Sequence, residues 1–322
     1  LIISHQLNLL IRVYSEIIFK NKSLADLQVE FRGKKMYGHE FKELRLEQGI
    51  TQKEACKGIC SESKLSRWEN DQIEVEFSTA MKLLDRIHIT SHEFMGWSKF
   101  SPQPETDKEV TEAWNKEEIP SIKRVAKKQL DKYHQSKNPF DLLSTVALFN
   151  QLVILENHNY LPEIDQIKLA NIFSKVAIWS EYYLARFGSS IFLLAPKQVY
   201  GISKLILKDV SRITEANTTY DLEVMLGVLG DATIKLILSN DIKHATSLIK
   251  EIKKIELPHY MMFFTLTFNY LDKIANYVTT KNEQPILNLI NTMVQIGCPI
   301  QAEIYLDVFK QVKNNLDRKT RS

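Results

Sequence analysis

Apolar side chains recur at intervals of three and four through most of this 322-residue chain, the spacing that turns one helix face toward a core. Between residues 41 and 94 the pattern divides into five short helices. Thr51 stands at an N-cap with Glu54 at N3, the two halves of a capping box. Ser61 can cap the following helix by the same chemistry. Gly58, flexible, and Ile59, apolar, fill the tight turn between them, which is the spacing of a helix-turn-helix. Leu65 and Trp68, three apart, face inward and leave Glu62, Ser63, Lys64 and Arg67 outward near the helix start. Phe77, Ala80, Met81, Leu84 and Ile87 then form one apolar stripe. Thr90 caps a last short helix that carries Phe94 and Met95.

Pro102 and Pro104 mark residues 98–105 as a linker. Beyond it, helices are predicted over 119–137, 139–157, 162–187, 196–210, 221–239, 241–255, 258–278, 283–296 and 299–312. Helices of this length with short breaks, at a period near 35–40 residues, suggest stacked hairpins, each burying one apolar stripe. No exact repeat accompanies the period. The expected fold is all-α, with domains at 36–97 and 119–316, a linker over 98–118 and a tail over 317–322. Residues 1–19 are rich in Leu and Ile, but His5, Gln6, Asn8, Arg12 and Glu16 interrupt them, so no 18-residue apolar run forms. No basic segment precedes them, as a signal peptide would need. Met36 reads as the natural start, with 1–35 an upstream extension or, alternatively, an extra amphipathic helix.

Composition narrows the class. Only 10 Gly and 9 Pro punctuate the chain, which favours long helices over β-meanders. Three Cys give no paired framework and point to a reducing, cytoplasmic setting. Net charge is +3, yet residues 36–100 hold nine basic and eleven acidic side chains, against the usual basic footprint of a DNA-binding domain. Within 42–67 the balance is six basic to four acidic, so affinity is expected to lean on base contacts and a second half-site, with high salt sensitivity. A dimer doubles that local face. The basic run Lys123, Arg124, Lys127, Lys128 and Lys132 reads as a solvated helix face rather than a membrane or calmodulin-like site.

Catalytic and metal chemistry finds no footing. Cys56 and Cys60 are four apart but lack a partner pair, and Cys56 reads as a small buried residue. Ser61-Glu62-Ser63-Lys64 fits the S-x-x-K pattern of acyl-enzymes without the companion motifs of that chemistry. No dinucleotide fingerprint, P-loop or H-E-x-x-H occurs. The reading is a protein with no enzymatic activity, cofactor or metal.

Thr51-Gln52 together with Leu65-Ser66-Arg67-Trp68-Glu69-Asn70 resembles the phage-repressor-like (XRE) helix-turn-helix. From Met36 onward, including Leu83-Leu84-Asp85-Arg86-Ile87 and Glu93-Phe94-Met95, the chain resembles the Rgg/MutR regulators. The resemblance implies a tetratricopeptide-like array of hairpins after the DNA-binding domain, a homodimer on double-stranded promoter DNA, and control by a short signalling peptide. The alternative is a helical scaffold for proteins with no peptide effector. Two departures stand out: the family's turn is one residue longer with Gly in place of Cys60, and Ala55 replaces a common Leu. Where some members carry a dimer-linking thiol, this chain has Phe77. Arg45, Gln52, Lys53, Ser61, Glu62, Ser63, Lys64 and Arg67 form the expected DNA-facing set, with Arg45 on phosphate and Gln52 either on phosphate or bracing the recognition helix. Trp179, Tyr182, Tyr183 and Arg186 form the expected peptide site, with Arg186 holding a carboxylate. The competing reading makes the aromatics core and lays Arg186 over Tyr182. The run Met261-Met262-Phe263-Phe264 suits either adaptable peptide binding or a buried core. Ile300, Ile304, Val308 and Phe309 offer a stripe for a dimer partner.

Overall fold

The computed structural model describes residues 37–97, 118–215 and 219–321. The readings of 1–36 and of the linker therefore lie outside the described residues. All regular structure among the described residues is helical, and it divides into two compact units on either side of that linker.

The first unit holds α1 (Gly38–Glu47), α2 (Gln52–Cys56), α3 (Glu62–Glu69), α4 (Phe77–Arg86) and α5 (Ser91–Trp97). Its helix starts are fixed by side chains that satisfy otherwise orphaned backbone donors. Thr51 Oγ1 accepts from the Glu54 amide at 3.2 Å while the Glu54 carboxylate accepts the Thr51 amide at 2.8 Å. Ser61 accepts from the Lys64 amide at 3.2 Å, and Thr90 with Glu93 repeats the reciprocal box. Gly58 takes φ +76°, left-handed backbone that suits glycine, and so turns the chain between α2 and α3. Phe41, Ala55, Leu65, Leu83 and Ile87 are fully buried, and the Phe41 and Trp68 rings pack 5.0 Å apart. Gly38 lies against the end of α3, where a Cβ would fall 1.7 Å from the Trp68 carbonyl oxygen. Phe77 departs from the expected stripe. At the first position of α4 it is 81% exposed, while Leu83, outside that stripe, is fully buried, so the buried face of α4 is rotated.

The second unit runs through α6 (Ile119–Ser136), α7 (Pro139–Glu156), α8 (Glu163–Ser174), α9 (Glu181–Gly188), α10 (Pro196–Lys208) and α11 (Val210–Glu215). It continues with α12 (Thr219–Leu238), α13 (Ile242–Ile252), α14 (Met262–Thr280), α15 (Gln284–Gln295) and α16 (Pro299–Arg321). Pro at the first turn opens α6, α7, α10 and α15, where its missing amide costs nothing. α6 with α7, α12 with α13, α13 with α14 and α15 with α16 pack as hairpins, α9 packs on α12 and α7, and α8 on α10, α10 on α12, α12 on α14 and α14 on α16 stack the array. α12 touches α9, α10, α11, α13, α14 and α16, so it is the central helix of the unit. α7 is long and apolar enough to cross a membrane, with mean hydropathy 1.2, but 61% of it is buried within this unit. A core helix covered on most sides needs no polar face.

Two expected helices differ. Residues 162–187 form two helices because the chain leaves α8 to bury Trp179, whose ring stacks on Phe173 at 6.3 Å and meets Phe187 edge-on at 6.0 Å. The freed Trp179 amide donates to the Asp209 carboxylate at 3.0 Å. The last helix is longer than expected, and Ile304, Val308 and Phe309 are each 3% exposed within their own chain. α12, α14 and α15 cover α16, so of the stripe assigned to a dimer partner only Ile300 is open, at 72%.

Candidate nucleic-acid interface and effector region

One buried carboxylate organises the helix-turn-helix. Glu69, fully buried at the end of α3, accepts from Arg45 Nε at 2.6 Å, Arg45 Nη2 at 2.8 Å and Gln52 Nε2 at 2.7 Å. Arg45 Nη1 donates to the Ile50 carbonyl at 2.6 Å. A bidentate guanidinium in a dry site is geometrically strict, so α1, α2 and α3 are held in one arrangement. The role expected of Arg45 is thereby corrected. At 4% exposure its guanidinium is committed to Glu69 and Ile50 rather than facing a phosphate. Gln52 takes the bracing arm of its two expected roles in this structure.

The remaining DNA-facing candidates cluster around the start of α3. Ser61 caps it with its hydroxyl, Glu62, Ser63 and Arg67 are exposed, Lys64 is half-buried, and Lys53 is exposed on α2. Leu65 and Trp68 lie on the opposite face in the core, as the periodicity predicts. The sequence reading missed Glu69 as the hub. It also missed Lys42, whose Nζ donates to Asn70 Oδ1 at 3.2 Å, and Arg86, which donates to the Glu54 carbonyl at 2.9 Å. These pairs span 28 and 32 residues, beyond any local pattern. Hydrogen bonds from Thr51 hold the Glu54 carboxyl below its usual range, so the cap is strongest with that group ionised. Burial pushes the Cys60 thiol up, which keeps it protonated and unreactive.

The expected peptide residues do not form one surface. Trp179 is 3% exposed and sits in the core, its indole N–H buried without an acceptor, so it is removed from the open site. Tyr182 and Tyr183 are half-buried with rings 5.3 Å apart, and Phe140, 55% exposed, lies 6.1 Å from Tyr182. The Arg186 guanidinium rests 5.3 Å above the Tyr182 ring, the stacked arrangement that the sequence reading kept as its competitor. Burial raises the Tyr182 hydroxyl, and Arg186 opposes the shift. In the Met-Phe run, Met261 and Phe264 are core while Met262 is 61% exposed. On α6, Lys123 pairs with Glu156 at 2.6 Å and Lys132 with Asp141 at 3.2 Å, leaving Arg124 and Lys127 as a solvated face.

Comparison with known proteins agrees across both units. A helix-turn-helix family profile matches residues 41–94, and the profile of the C-terminal domain of the HTH-type transcriptional regulator Rgg matches residues 126–306. No curated protein sequence matches the chain. Among solved structures, the Streptococcus dysgalactiae SHP pheromone receptor Rgg2 is similar with a TM-score of 0.66 at 14% identity, over 85% of this chain and 99% of that one. A bacterial peptide pheromone/receptor complex gives 0.62 at 17% identity, covering 86% and 98%. A complex of PrgX with cCF10 gives 0.62 at 17% identity, covering 87% and 93%. With a matched regulatory domain spanning more than half its length and a helix-turn-helix ahead of it, the chain belongs to the Rgg family of helix-turn-helix transcriptional regulators.

Proposed function

We propose that this regulator works as a cytoplasmic homodimer on a two-fold operator and that a short peptide, bound by the helical array, controls it. The observation that carries the DNA half is the pairing of a rigid hub with an open helix start. Glu69 immobilises α3 from its buried end, while Ser63, Lys64 and Arg67 stand on its outer face. A recognition helix presents such a face to the major groove, and Arg is suited to the paired acceptors of a guanine edge. One module spans too few base pairs for a selective search, which favours two copies. The peptide half draws on the similar proteins, which include a pheromone receptor and a peptide pheromone/receptor complex. Stacked helical hairpins are an architecture that suits an extended peptide. Arg186, with Tyr182 and Tyr183 beside it, stays a candidate for the ligand's carboxylate.

Two measurements test the reading. Footprinting on promoter DNA is expected to show two protected half-sites, and Arg67→Ala to relax specificity at one base position in each. Uniform weakening on every sequence would assign Arg67 to phosphate alone. Calorimetric titration with pools of short hydrophobic synthetic peptides is expected to show binding to the full chain, reduced by Arg186→Ala. Unchanged affinity in that variant removes Arg186 from the site, and absence of binding by every pool favours a scaffold without an effector.

A further inference from the structure

The central helix of the second unit has one side on which its neighbours pack incompletely. Met225, Leu226, Leu229, Ala232 and Leu236 are fully buried, as befits a helix packed by six others. Gly230, Ile234 and Leu238 follow one another at four-residue steps along α12, with Glu223 two turns before Gly230, and Asp231 and Lys235 stand four apart on the adjoining row. Glu223, Lys235 and Leu238 keep partial exposure, and Ile234 and Asp231 retain 6% and 7%. Gly230 is itself buried, yet a Cβ built on it meets nothing within 4 Å. Open space therefore adjoins the middle of the best-packed helix in the unit.

Two charges on the adjoining row lack adequate partners. Asp231 makes no hydrogen bond or ion pair among the described residues. One turn on, Lys235 reaches only the Phe192 carbonyl, at a long 3.4 Å, with its ammonium 5.6 Å above the Phe192 ring. The two do not pair with each other. Burial alone pushes the Asp231 carboxyl up to about 7 and the Lys235 ammonium down, so each group lacks a counter-charge that a ligand can bring.

We propose that this face of α12 is the floor of the peptide groove and that the bound peptide sets a protonated amine against Asp231, with one of its main-chain carbonyls on Lys235. The inference rests on the peptide reading above and adds the chemistry of the ligand. The occupant is argued from charge complementarity. A lone carboxylate offers too few oxygens to hold a metal ion, but it suits one ammonium group, and the ion pair it would form is strong in a dry site. Four residues of helix rise ~6 Å, close to the ~6.6 Å between alternate residues of an extended strand, so one peptide can engage both charges. The glycine keeps the floor low enough for a backbone to approach.

The test uses the full chain and two pools of synthetic octapeptides, both rich in Leu, Ile, Val and Phe. One pool has a free N-terminus, and the other is identical but acetylated and free of Lys and Arg. Binding is read by affinity selection with mass spectrometry. Wild type is expected to retain the amine-bearing pool at least tenfold better. Asp231→Asn, checked for an intact melt, is expected to bind both pools equally and weakly. Gly230→Leu, which grows into open space, is expected to melt as wild type does and to lose both pools. Peptide binding with no amine preference in wild type, a preference surviving in Asp231→Asn, or unchanged binding in Gly230→Leu would each overturn the inference and leave the peptide reading standing. Failure of both pools to bind wild type would overturn both.

Discussion

Arg45 and Arg67 carry the same guanidinium on packed helices of the first unit, and their surroundings give them opposite tasks. Arg45 is enclosed with Glu69, so Arg45→Met is expected to leave a buried carboxylate unpaired and to destabilise by roughly 3–5 kcal/mol, measured by urea unfolding. Arg67 is exposed, so Arg67→Ala is expected to shift stability by less than about 0.5 kcal/mol. Its loss of operator binding should instead amount to roughly 1–3 kcal/mol, read in a titration. A stability loss for Arg67→Ala as large as that of Arg45→Met would mean the burial assignments are reversed. Asp231 supplies a pH prediction. Its carboxyl is raised in the fold from 3.8 to about 7, so the native state holds an extra proton between those values. Stability from this group is present at low pH and is lost as pH rises toward 7. Asp231→Asn should therefore melt higher than wild type at pH 8, with the gap closing toward pH 5. A gap independent of pH would show that Asp231 does not titrate in that window.

At the scale of elements, whatever local chemistry dictates was legible in the sequence. The Thr51–Glu54 box, the Ser61 cap, the Gly58 turn and the Thr90 cap all appear where the residues call for them. Thr51→Ala is expected to cost about 1 kcal/mol by removing an N-cap, and a thermal melt checks it. An unchanged melting temperature would mean that packing of Ala55 and Cys56 alone holds α2. Periodicity did less well where tertiary partners decide. Residues 162–187 read as one helix because nothing nearby signals a stop, whereas the break comes from a Trp179 pocket closed by Phe187 and by Asp209, thirty residues away. Phe77 fitted a stripe by spacing, yet in the first turn of α4 it lies beyond the core. The candidate sites share that limit. Outward Ser63, Lys64 and Arg67 follow from helix geometry, while Glu69 and the open face of α12 depend on which helices meet.

On the scale of the whole molecule, each unit closes its own core, one around Phe41, Leu65 and Trp68 and the other around α12. The fate of α16 follows from this. Its apolar side chains complete the second core, and Tyr305 stacks on Tyr270 at 4.1 Å while its hydroxyl meets Thr267 at 2.6 Å. A chain ending before Pro299 is therefore expected to lose cooperative unfolding of the second unit and to aggregate, rather than become a well-folded monomer. Calorimetry with light scattering distinguishes these outcomes, and a sharp, monomeric melt would return the helix to the role of a detachable dimer arm. Operator affinity is also expected to fall with salt in proportion to the number of phosphates that the local cations of the two half-sites neutralise.

The hub at Glu69 also sorts inherited variation at these two arginines. In a cell that carries a second, intact gene copy, a substitution at Arg45 is expected to destabilise the DNA unit so that the altered chain is cleared and the allele behaves as a recessive null. A substitution at Arg67 leaves a sound chain at full abundance. In the proposed homodimer such a chain still pairs with normal subunits and carries them to DNA with one blind half, so this allele acts dominantly although its biochemical lesion is the smaller of the two.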